Sequence, residues 1–266
     1  MTELALEHLR VDRRDSGIVL VTLDLPERRN AMSAPMTESW RRLMDELRSD
    51  RSVRCVVVTG AGTAFCSGGD TGWIGSEPDA TVDQLRDRML PFYRTWLSIR
   101  DLEVPTIAAI NGPAVGAGAC LALACDLRYA AEDAKIAVPF TALGLHPGMA
   151  ATWLLPEVAG LAVARELLLT GRAVTGTEAV GLGLVNRVFP GEKLLDEVVG
   201  VAERVAGMAP IATRLTKVAL ANGGHASLED ALRWEALAQP VTLATEDLHE
   251  GLRAQREKRR PRFSGR

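Results

Sequence analysis

The sequence predicts an α/β fold that ends in an α-helical region. Short apolar segments rich in β-branched residues alternate with helical patterns through most of the chain. Two of these segments, VRCVVVT and VPTIAAIN, are almost wholly apolar, which is typical of parallel strands covered on both faces. From Glu192 onward the pattern changes to one helix after another. We therefore expect a core at residues 1–190 and a helical region at residues 191–266.

The first elements follow from residue type and helix capping. The segment GIVLVTLD at residues 17–24 is rich in β-branched and apolar residues and predicts a strand. Ser33 can cap a helix that carries Pro35 in its first turn and runs to about Ser49. A second strand, buried on both faces, is expected at residues 53–59.

The alternation of elements continues after the second strand. A Gly-rich loop at residues 60–72 is followed by a helix at residues 81–101, and a further buried strand begins near Pro105. A helix then begins near Gly116, and a short strand covers residues 126–130. The C-terminal helices are expected at residues 192–207, 210–222, 227–238 and 242–258.

The composition describes a protein of ordinary hydrophobicity with a basic end. Hydrophobic residues make up 47% of the chain and charged residues 24%, which is usual for a globular protein. Residues 253–266 contain seven Lys or Arg against one Glu, a charge of +6 within a total of −3, which leaves −9 for residues 1–252. A basic end of this kind is compatible with binding of nucleic acid, binding of a phosphorylated ligand, or simple exposure to solvent. Composition alone does not distinguish these three alternatives.

Export, a metal site and a membrane span are not predicted. The start, MTELALEHLRVDRRD, lacks the apolar core of a signal peptide, and none of the four cysteines forms a CxxC pair. We expect reduced thiols, a cytoplasmic location and no bound metal. The stretch at residues 104–125 is uncharged over 22 residues, enough to cross a bilayer. Its Pro, Asn and Gly residues divide it into a short strand and a short helix, so no membrane association is expected.

Two Gly-rich loops, GAGTAFCSGGD and NGPAVGAG, each follow a buried strand. Ligands of parallel α/β proteins bind at the carboxyl ends of strands, and glycine lets a ligand approach the backbone closely. A helix N-terminus adds unpaired N–H groups. The two loops could therefore aim two donors at one oxygen, as an oxyanion hole does.

Familiar nucleotide and nucleophile motifs are not completed. Gly116-Ala-Gly118 begins like the dinucleotide fingerprint GxGxxG, but Leu121 stands in place of the third glycine. The nucleophile elbow GxSxG fails around Ser67, because Phe65 takes the place of its first glycine. No GxxxxGK[ST] occurs, so a P-loop is excluded.

A series of motifs carries a family resemblance along nearly the whole chain. They are PERRNAMS, AFCSGGD, the stretch at residues 104–126, LGLHPGMAATWLLPEVAG, LTGRAVTGTEAVGLGLVNRVFP and the final PRFSGR. In this order they resemble the enoyl-CoA hydratase/isomerase family, also called the crotonase superfamily. The resemblance implies a crotonase-like spiral of ββα repeats with an α-helical C-terminal region that builds homotrimers, often paired as hexamers.

The resemblance also implies an acyl-CoA site. In this family the carbonyl oxygen of the thioester lies between two backbone N–H groups, which by matching positions belong to Gly69 and Ala117. Coenzyme A is part of the substrate, so no separate cofactor is expected. The positions that match substrate-contacting segments, including C-terminal residues that reach a coenzyme A on the same or a neighbouring subunit, are Arg28, Ala31, Gly69, Asp70, Thr71, Gly72, Phe263 and Arg266.

The sequence departs from the family at the two acid/base positions. A hydratase of this family uses two glutamates, and the matching residues here are Cys120 and Phe140, the latter in IAVPF. Neither can do the work of a carboxylate, so ordinary two-glutamate hydration is not expected, and Phe140 is expected to contact the substrate. His146 and Asp70 are the candidate proton carriers. Each has a structural alternative, because His146 could bond a loop carbonyl and Asp70 could bond N–H groups of its own turn.

These observations lead to one main hypothesis and two rivals. We expect a lyase, isomerase or hydrolase that stabilises an enolate-like state of an acyl-CoA through Gly69 and Ala117. The first rival is a non-catalytic acyl-CoA-binding or scaffold subunit that kept the pocket and lost the carboxylates. The second is an RNA-binding member that uses the basic end, although nucleic acid is not the partner we expect.

Overall fold

The computed structural model describes residues 5–70, 72, 75–221 and 227–266. Within them, six strands form a main sheet in which all neighbours are parallel except the first pair. In spatial order these are β1 (Leu9–Arg13), β2 (Ile18–Leu23), β3 (Cys55–Gly60), β4 (Thr106–Ile110), β6 (Leu127–Ala131) and β9 (Arg187–Phe189). A smaller sheet contains β5 (Ala114–Val115), β7 (Lys135–Ala137) and β8 (Ala173–Thr175).

Helices connect the strands and make up the C-terminal part of the described chain. They are α1 (Ala34–Ser49), α2 (Val82–Leu97), α3 (Ala117–Ala124), α4 (Ala151–Thr170), α5 (Gly176–Gly181), α6 (Leu194–Ala206), α7 (Pro210–Ala221), α8 (Leu228–Leu243) and α9 (Glu246–Glu257). Helix α4 is broken at Gly160, where φ is +77°. The α/β fold with a helical C-terminal region is thus confirmed. None of the described helices is both long enough and apolar enough to cross a bilayer.

Local chemistry explains the elements that the sequence predicts best. The Ser33 side chain accepts a hydrogen bond from the Met36 N–H and caps α1, as expected. Every residue of β3 is buried, as the continuous apolar run requires of a strand covered on both faces. The predicted helix at residues 81–101 is α2, which Thr81 caps and which gives way to a 3₁₀ turn after Leu97.

Several contacts join the helices to one another and to the main sheet. Helix α1 contacts α2, and the rings of Trp40 and Trp96 stack between them at 4.9 Å. Helix α6 packs across β2, β3, β4, β6 and β9. The Nζ of Lys217 on α7 lies 2.8 Å from the carbonyl oxygen of Val104 and 2.8 Å from a carboxylate oxygen of Asp126. The helical region is therefore bonded directly to the core, and the boundary near residue 190 stays a prediction.

Several elements differ from the sequence prediction. Strand β1 has the sequence LRVDR, in which Leu9 alone is buried, so the apolar signal of a strand is missing. The three strands of the small sheet have only two or three residues each, too few to show a period. Helix α8 extends through Pro240 to Leu243, beyond the predicted end at residue 238. Strand β1 is held by its antiparallel pairing with β2, which the local sequence pattern does not report.

Candidate active site

A buried amide joins the loops that follow β2 and β3. The Asn30 side chain is completely buried, and its Nδ2 donates to the carbonyl oxygens of Ala61 at 2.9 Å and Ala64 at 2.8 Å. Its Oδ1 accepts from the Leu25 N–H at 2.9 Å. Because all of these partners are backbone groups, Asn30 fixes the path of the first Gly-rich loop whatever the side chains of that loop are.

The two Gly-rich loops lie side by side. The Cys66 N–H donates to the Pro113 carbonyl at 3.1 Å, and the Val115 N–H donates to the Cys66 carbonyl at 2.9 Å. Glycine is required for this approach: a Cβ on Gly118 would lie 2.2 Å from the Cys66 oxygen, and one on Gly68 would lie 2.6 Å from the Val115 oxygen. Both loops therefore present their backbones to the same space, as the sequence predicts.

Two N–H groups lie at this junction, one from each loop. Gly116 has φ of +55° and ends the second loop, so that α3 begins at Ala117 with its first N–H groups unpaired. In the first loop the Met32 N–H donates to the Gly68 carbonyl at 2.9 Å, which leaves the next N–H, that of Gly69, outside this pairing. Within the described residues, neither the Gly69 nor the Ala117 N–H donates to a protein acceptor.

Gly69 and Ala117 line a cavity of about 410 Å³. Its walls are mostly apolar, and Phe140, one of the residues in the sequence prediction, places its ring against Gly116. The further apolar side chains in the walls include Leu85, Met89, Phe92, Leu143, Leu145 and Met149. The titratable side chains in the described lining are Arg88, Tyr93 and His146, and no carboxylate is among them.

Cys120 lies behind the cavity wall rather than in it. The side chain is completely buried, and burial raises the pKa of its thiol to about 12. The Sγ atom lies 3.9 Å from the carbonyl oxygen of Gly148. Cys120 therefore stays a thiol at neutral pH and is unsuited to nucleophilic chemistry.

The position of His146 is compatible with both roles that the sequence leaves open. Its Nδ1 lies 2.9 Å from the carbonyl oxygen of Pro147, and it also lines the cavity. Since a carbonyl oxygen can only accept, Nδ1 must carry the proton in this hydrogen bond. In the neutral ring, Nε2 is then left as an acceptor that can take up a proton.

Three other candidate residues, Arg28, Ala31 and Asp70, lie close together near the first Gly-rich loop, and none of them is in the described lining of the cavity. The carboxylate of Asp70 lies 2.8 Å from an Arg28 guanidinium nitrogen and accepts from the Gly72 N–H at 3.0 Å. The Ala31 N–H donates to the Arg28 carbonyl at 3.1 Å. Asp70 thus accepts a hydrogen bond from an N–H group of its own turn, as expected if its role is structural. Thr71 lies outside the described residues.

Phe263 and Arg266 lie near the N-terminal ends of the main-sheet strands, away from the Gly-rich loops. The Phe263 carbonyl accepts from Arg54 at 3.3 Å, and Arg54 stands just before the first residue of β3. The Gly-rich loop begins at the other end of this strand, roughly 20 Å away at about 3.3 Å per residue. The Arg266 carbonyl accepts from the Asp247 N–H at 3.2 Å, so these residues do not reach the cavity of their own chain.

The basic end is folded onto α9 and is partly neutralised. Glu250 lies 2.6 Å from an Arg259 nitrogen and 2.7 Å from an Arg253 nitrogen, and it also accepts from the Arg262 N–H at 3.0 Å. The hydrogen bonds from Arg259, Arg253 and Arg262 hold the pKa of Glu250 far below its usual range. The excess positive charge counted in the sequence is therefore reduced in the fold.

Tyr93 is a cavity residue that the sequence does not single out. Sequence periodicity places it on the buried side of the helix at residues 81–101, beside Phe92 and Trp96, where it counts as core. The structure leaves it half-buried, with its ring lining the cavity. A tyrosine in an otherwise apolar helix face is a signal for such a position, because a buried hydroxyl needs a partner.

The sequence as a whole matches one family of enzymes. The family model described as enoyl-CoA hydratase/isomerase matches residues 13–266. A Thermus thermophilus protein named as a candidate enoyl-CoA hydratase is 41% identical over 246 residues, which cover 92% of this chain and 97% of that protein. The human mitochondrial enoyl-CoA hydratase domain-containing protein 2 is 36% identical over 256 residues, with 94% of this chain and 87% of that protein covered.

Solved structures with these names share the fold. The crystal structure of enoyl-CoA hydratase from Bacillus anthracis superposes with a TM-score of 0.91 at 35% identity, covering 98% of this chain and 100% of that chain. The enoyl-CoA hydratase of Mycobacterium smegmatis superposes with a TM-score of 0.89 at 30% identity, covering 97% and 99%. The match extends over essentially the full length of both chains in each case.

Proposed function

Because the chain belongs to the enoyl-CoA hydratase/isomerase family, we propose that its cavity binds an acyl-CoA thioester, with the carbonyl oxygen held by the N–H groups of Gly69 and Ala117. The observation that carries the proposal is the pair of Gly-rich loops that lie side by side and leave these two donors without protein acceptors within the described residues. Relatives named for enoyl-CoA hydratase support the choice of ligand.

The proposed chemistry is stabilisation of an enolate-like state. Two fixed donors favour the negative charge that develops on the thioester oxygen, and each is worth about 3 kcal/mol in comparable sites. Since the described lining holds no carboxylate, the reaction does not follow the two-glutamate hydratase mechanism. His146 takes up or returns the proton through Nε2, in a lyase, isomerase or hydrolase reaction.

The remaining predicted contacts concern coenzyme A and other subunits. Arg28 and Asp70 lie beside the first donor, at a place suited to the coenzyme A part of the ligand. Exposed apolar side chains on α8, among them Leu232, Leu237 and Val241, support a homotrimer or a hexamer in which this face is covered. In such an assembly Phe263 would contact the ligand of a neighbouring subunit.

Deuterium exchange at the α-carbon tests the enolate directly. Butyryl-CoA is incubated with the protein in D₂O, and mass spectrometry follows deuterium uptake. Ala117→Pro removes one donor at the first position of α3, where proline is tolerated. We expect exchange to fall by about 10² to 10³-fold. Leu228→Pro, at the first position of α8, is the matched control and should exchange like the parent protein.

The absence of a carboxylate from the described lining favours one alternative, a non-catalytic acyl-CoA-binding subunit. It predicts binding of butyryl-CoA without deuterium exchange and without turnover of a panel of CoA thioesters. The enzymatic proposal predicts exchange that His146→Ala abolishes while binding is kept. Undiminished exchange in Ala117→Pro would contradict the role of the two donors.

A further inference from the structure

Tyr93 is held in the cavity wall by a rigid helix. Trp96, one turn further along α2, stacks on Trp40 of α1 and donates through its Nε1 to the Thr37 hydroxyl at 3.1 Å. Both indole rings are fully buried. The backbone of α2 is therefore fixed beside the cavity, and with it the Cα position from which the Tyr93 side chain extends.

The Tyr93 hydroxyl lies against the backbone of Gly148. A Cβ added to Gly148 would be 2.5 Å from the Tyr93 oxygen, so a larger residue at position 148 would force the Tyr93 ring to move. Burial raises the pKa of Tyr93, so at neutral pH the group is a phenol that can donate a hydrogen bond. Within the described residues this hydroxyl has no hydrogen-bond partner.

Tyr93 lines the same cavity as Gly69 and Ala117, the two proposed oxyanion donors. Cys120, whose Sγ lies 3.9 Å from the Gly148 carbonyl oxygen, follows Ala117 by three residues on α3. Three residues of helix advance about 4.5 Å along the axis, the length of a few carbon–carbon bonds. An acyl chain whose carbonyl oxygen meets the Ala117 N–H would extend into the cavity whose wall includes Tyr93.

We propose that the Tyr93 hydroxyl is a specificity-determining group that hydrogen-bonds an oxygen on the acyl chain, so that the acyl groups taken by this cavity carry a hydroxyl or oxo function. The inference rests on the proposed function, because it assumes that an acyl-CoA occupies the cavity. It adds the chemical class of the acyl group, which the two backbone donors do not select.

The physical reason is the cost of covering an unpaired donor. A plain alkyl chain would displace water from the Tyr93 hydroxyl and offer no acceptor among the apolar walls, which leaves a desolvated donor without a partner. An oxygen on the chain replaces the lost water. Sites built around such a group discriminate strongly against ligands that lack the matching atom.

Calorimetric binding of matched ligands tests this inference. The ligands are hexanoyl-CoA and its isomers hydroxylated at the third, fourth or fifth carbon. We expect at least one isomer to bind about three- to ten-fold more tightly than hexanoyl-CoA. Tyr93→Phe should remove this preference while hexanoyl-CoA still binds. Tyr129→Phe is the matched control, since Tyr129 is buried beside Phe189 on the main sheet and should keep the preference.

Each outcome separates the inference from the function on which it rests. If hexanoyl-CoA binds but no isomer is preferred, or if the preference survives in Tyr93→Phe, the role of Tyr93 is overturned and acyl-CoA binding stands. If none of the four thioesters binds, the proposed function fails and the inference fails with it. Loss of the preference in Tyr129→Phe as well would overturn the assignment to Tyr93.

Discussion

Replacing Gly68 with alanine should separate the two Gly-rich loops without adding charge or polarity. Gly68 has φ of +95°, a conformation that L residues rarely adopt. The added Cβ would lie 2.6 Å from the Val115 carbonyl oxygen and 3.2 Å from the Ala117 nitrogen. Both contacts are with backbone, so they cannot be relieved by turning a side chain.

The size of the effect follows from these distances. To bring the Cβ from 2.6 Å to an ordinary contact of 3.4 Å, the loops must move apart by about 0.8 Å. A misplacement of this order at a reacting centre costs on the order of 10² in rate. The left-handed backbone adds about 1–3 kcal/mol of strain, which lowers the free energy of unfolding. We expect the rate of α-carbon exchange to fall about 100-fold. The free energy of unfolding should fall by about 2 kcal/mol.

Deuterium exchange of butyryl-CoA and urea unfolding measure the two effects separately. Gly183→Ala is the matched control, because Gly183 has φ of +74° but its nearest neighbour would be 3.9 Å from the new Cβ. It should lose stability through backbone strain and keep the exchange rate. A Gly68→Ala protein that exchanges at the parental rate when folded would refute the reasoning from loop separation.

Three further variants test other contacts. Lys217→Met removes the cation that pairs with the Asp126 carboxylate, whose side chain is about one third exposed. The free energy of unfolding measured in urea should fall by about 2 kcal/mol. A loss under about 0.5 kcal/mol would count against this contact. Asn30→Asp replaces a buried donor by an oxygen facing two carbonyls and should cost about 3 kcal/mol in the same measurement. The depressed pKa of Glu250 stabilises the fold above the ordinary value of 4.5 and this contribution is lost as the pH falls below it, so the unfolding free energies of Glu250→Gln and the parent protein should converge in acid. A constant difference across that pH range would contradict the last expectation.

Elements with a strong local signal could be predicted from the sequence. The apolar run of β3 and the Ser33 cap of α1 are both found where the sequence places them. Strand β1 could not be predicted, because it is an edge strand whose exposed charged residues mask its period. Helix α8 continues through Pro240, where the local rule predicts an end.

The candidate site shows the same division between local and tertiary information. The Gly-rich loops could be predicted because glycine reports a close approach of backbones, and the structure places Gly69 and Ala117 in one cavity wall. The location of Phe263 could not, since the path of the chain end depends on its bonds to Arg54 and Asp247. Tyr93 could not be separated from a core residue by periodicity alone.

The binding and proton-transfer parts of this site depend on different features of the chain. The two proposed oxyanion donors are backbone groups, and glycines at positions 68 and 118 preserve their arrangement whatever side chains surround them. Proton transfer depends on the identity of single side chains, and Cys120 and Phe140 cannot supply it. The arrangement of the backbone donors can therefore persist while the side chains that transfer protons change. This is why the family predicts the ligand class for this chain, and why its reaction must be sought at His146 and its acyl specificity at Tyr93.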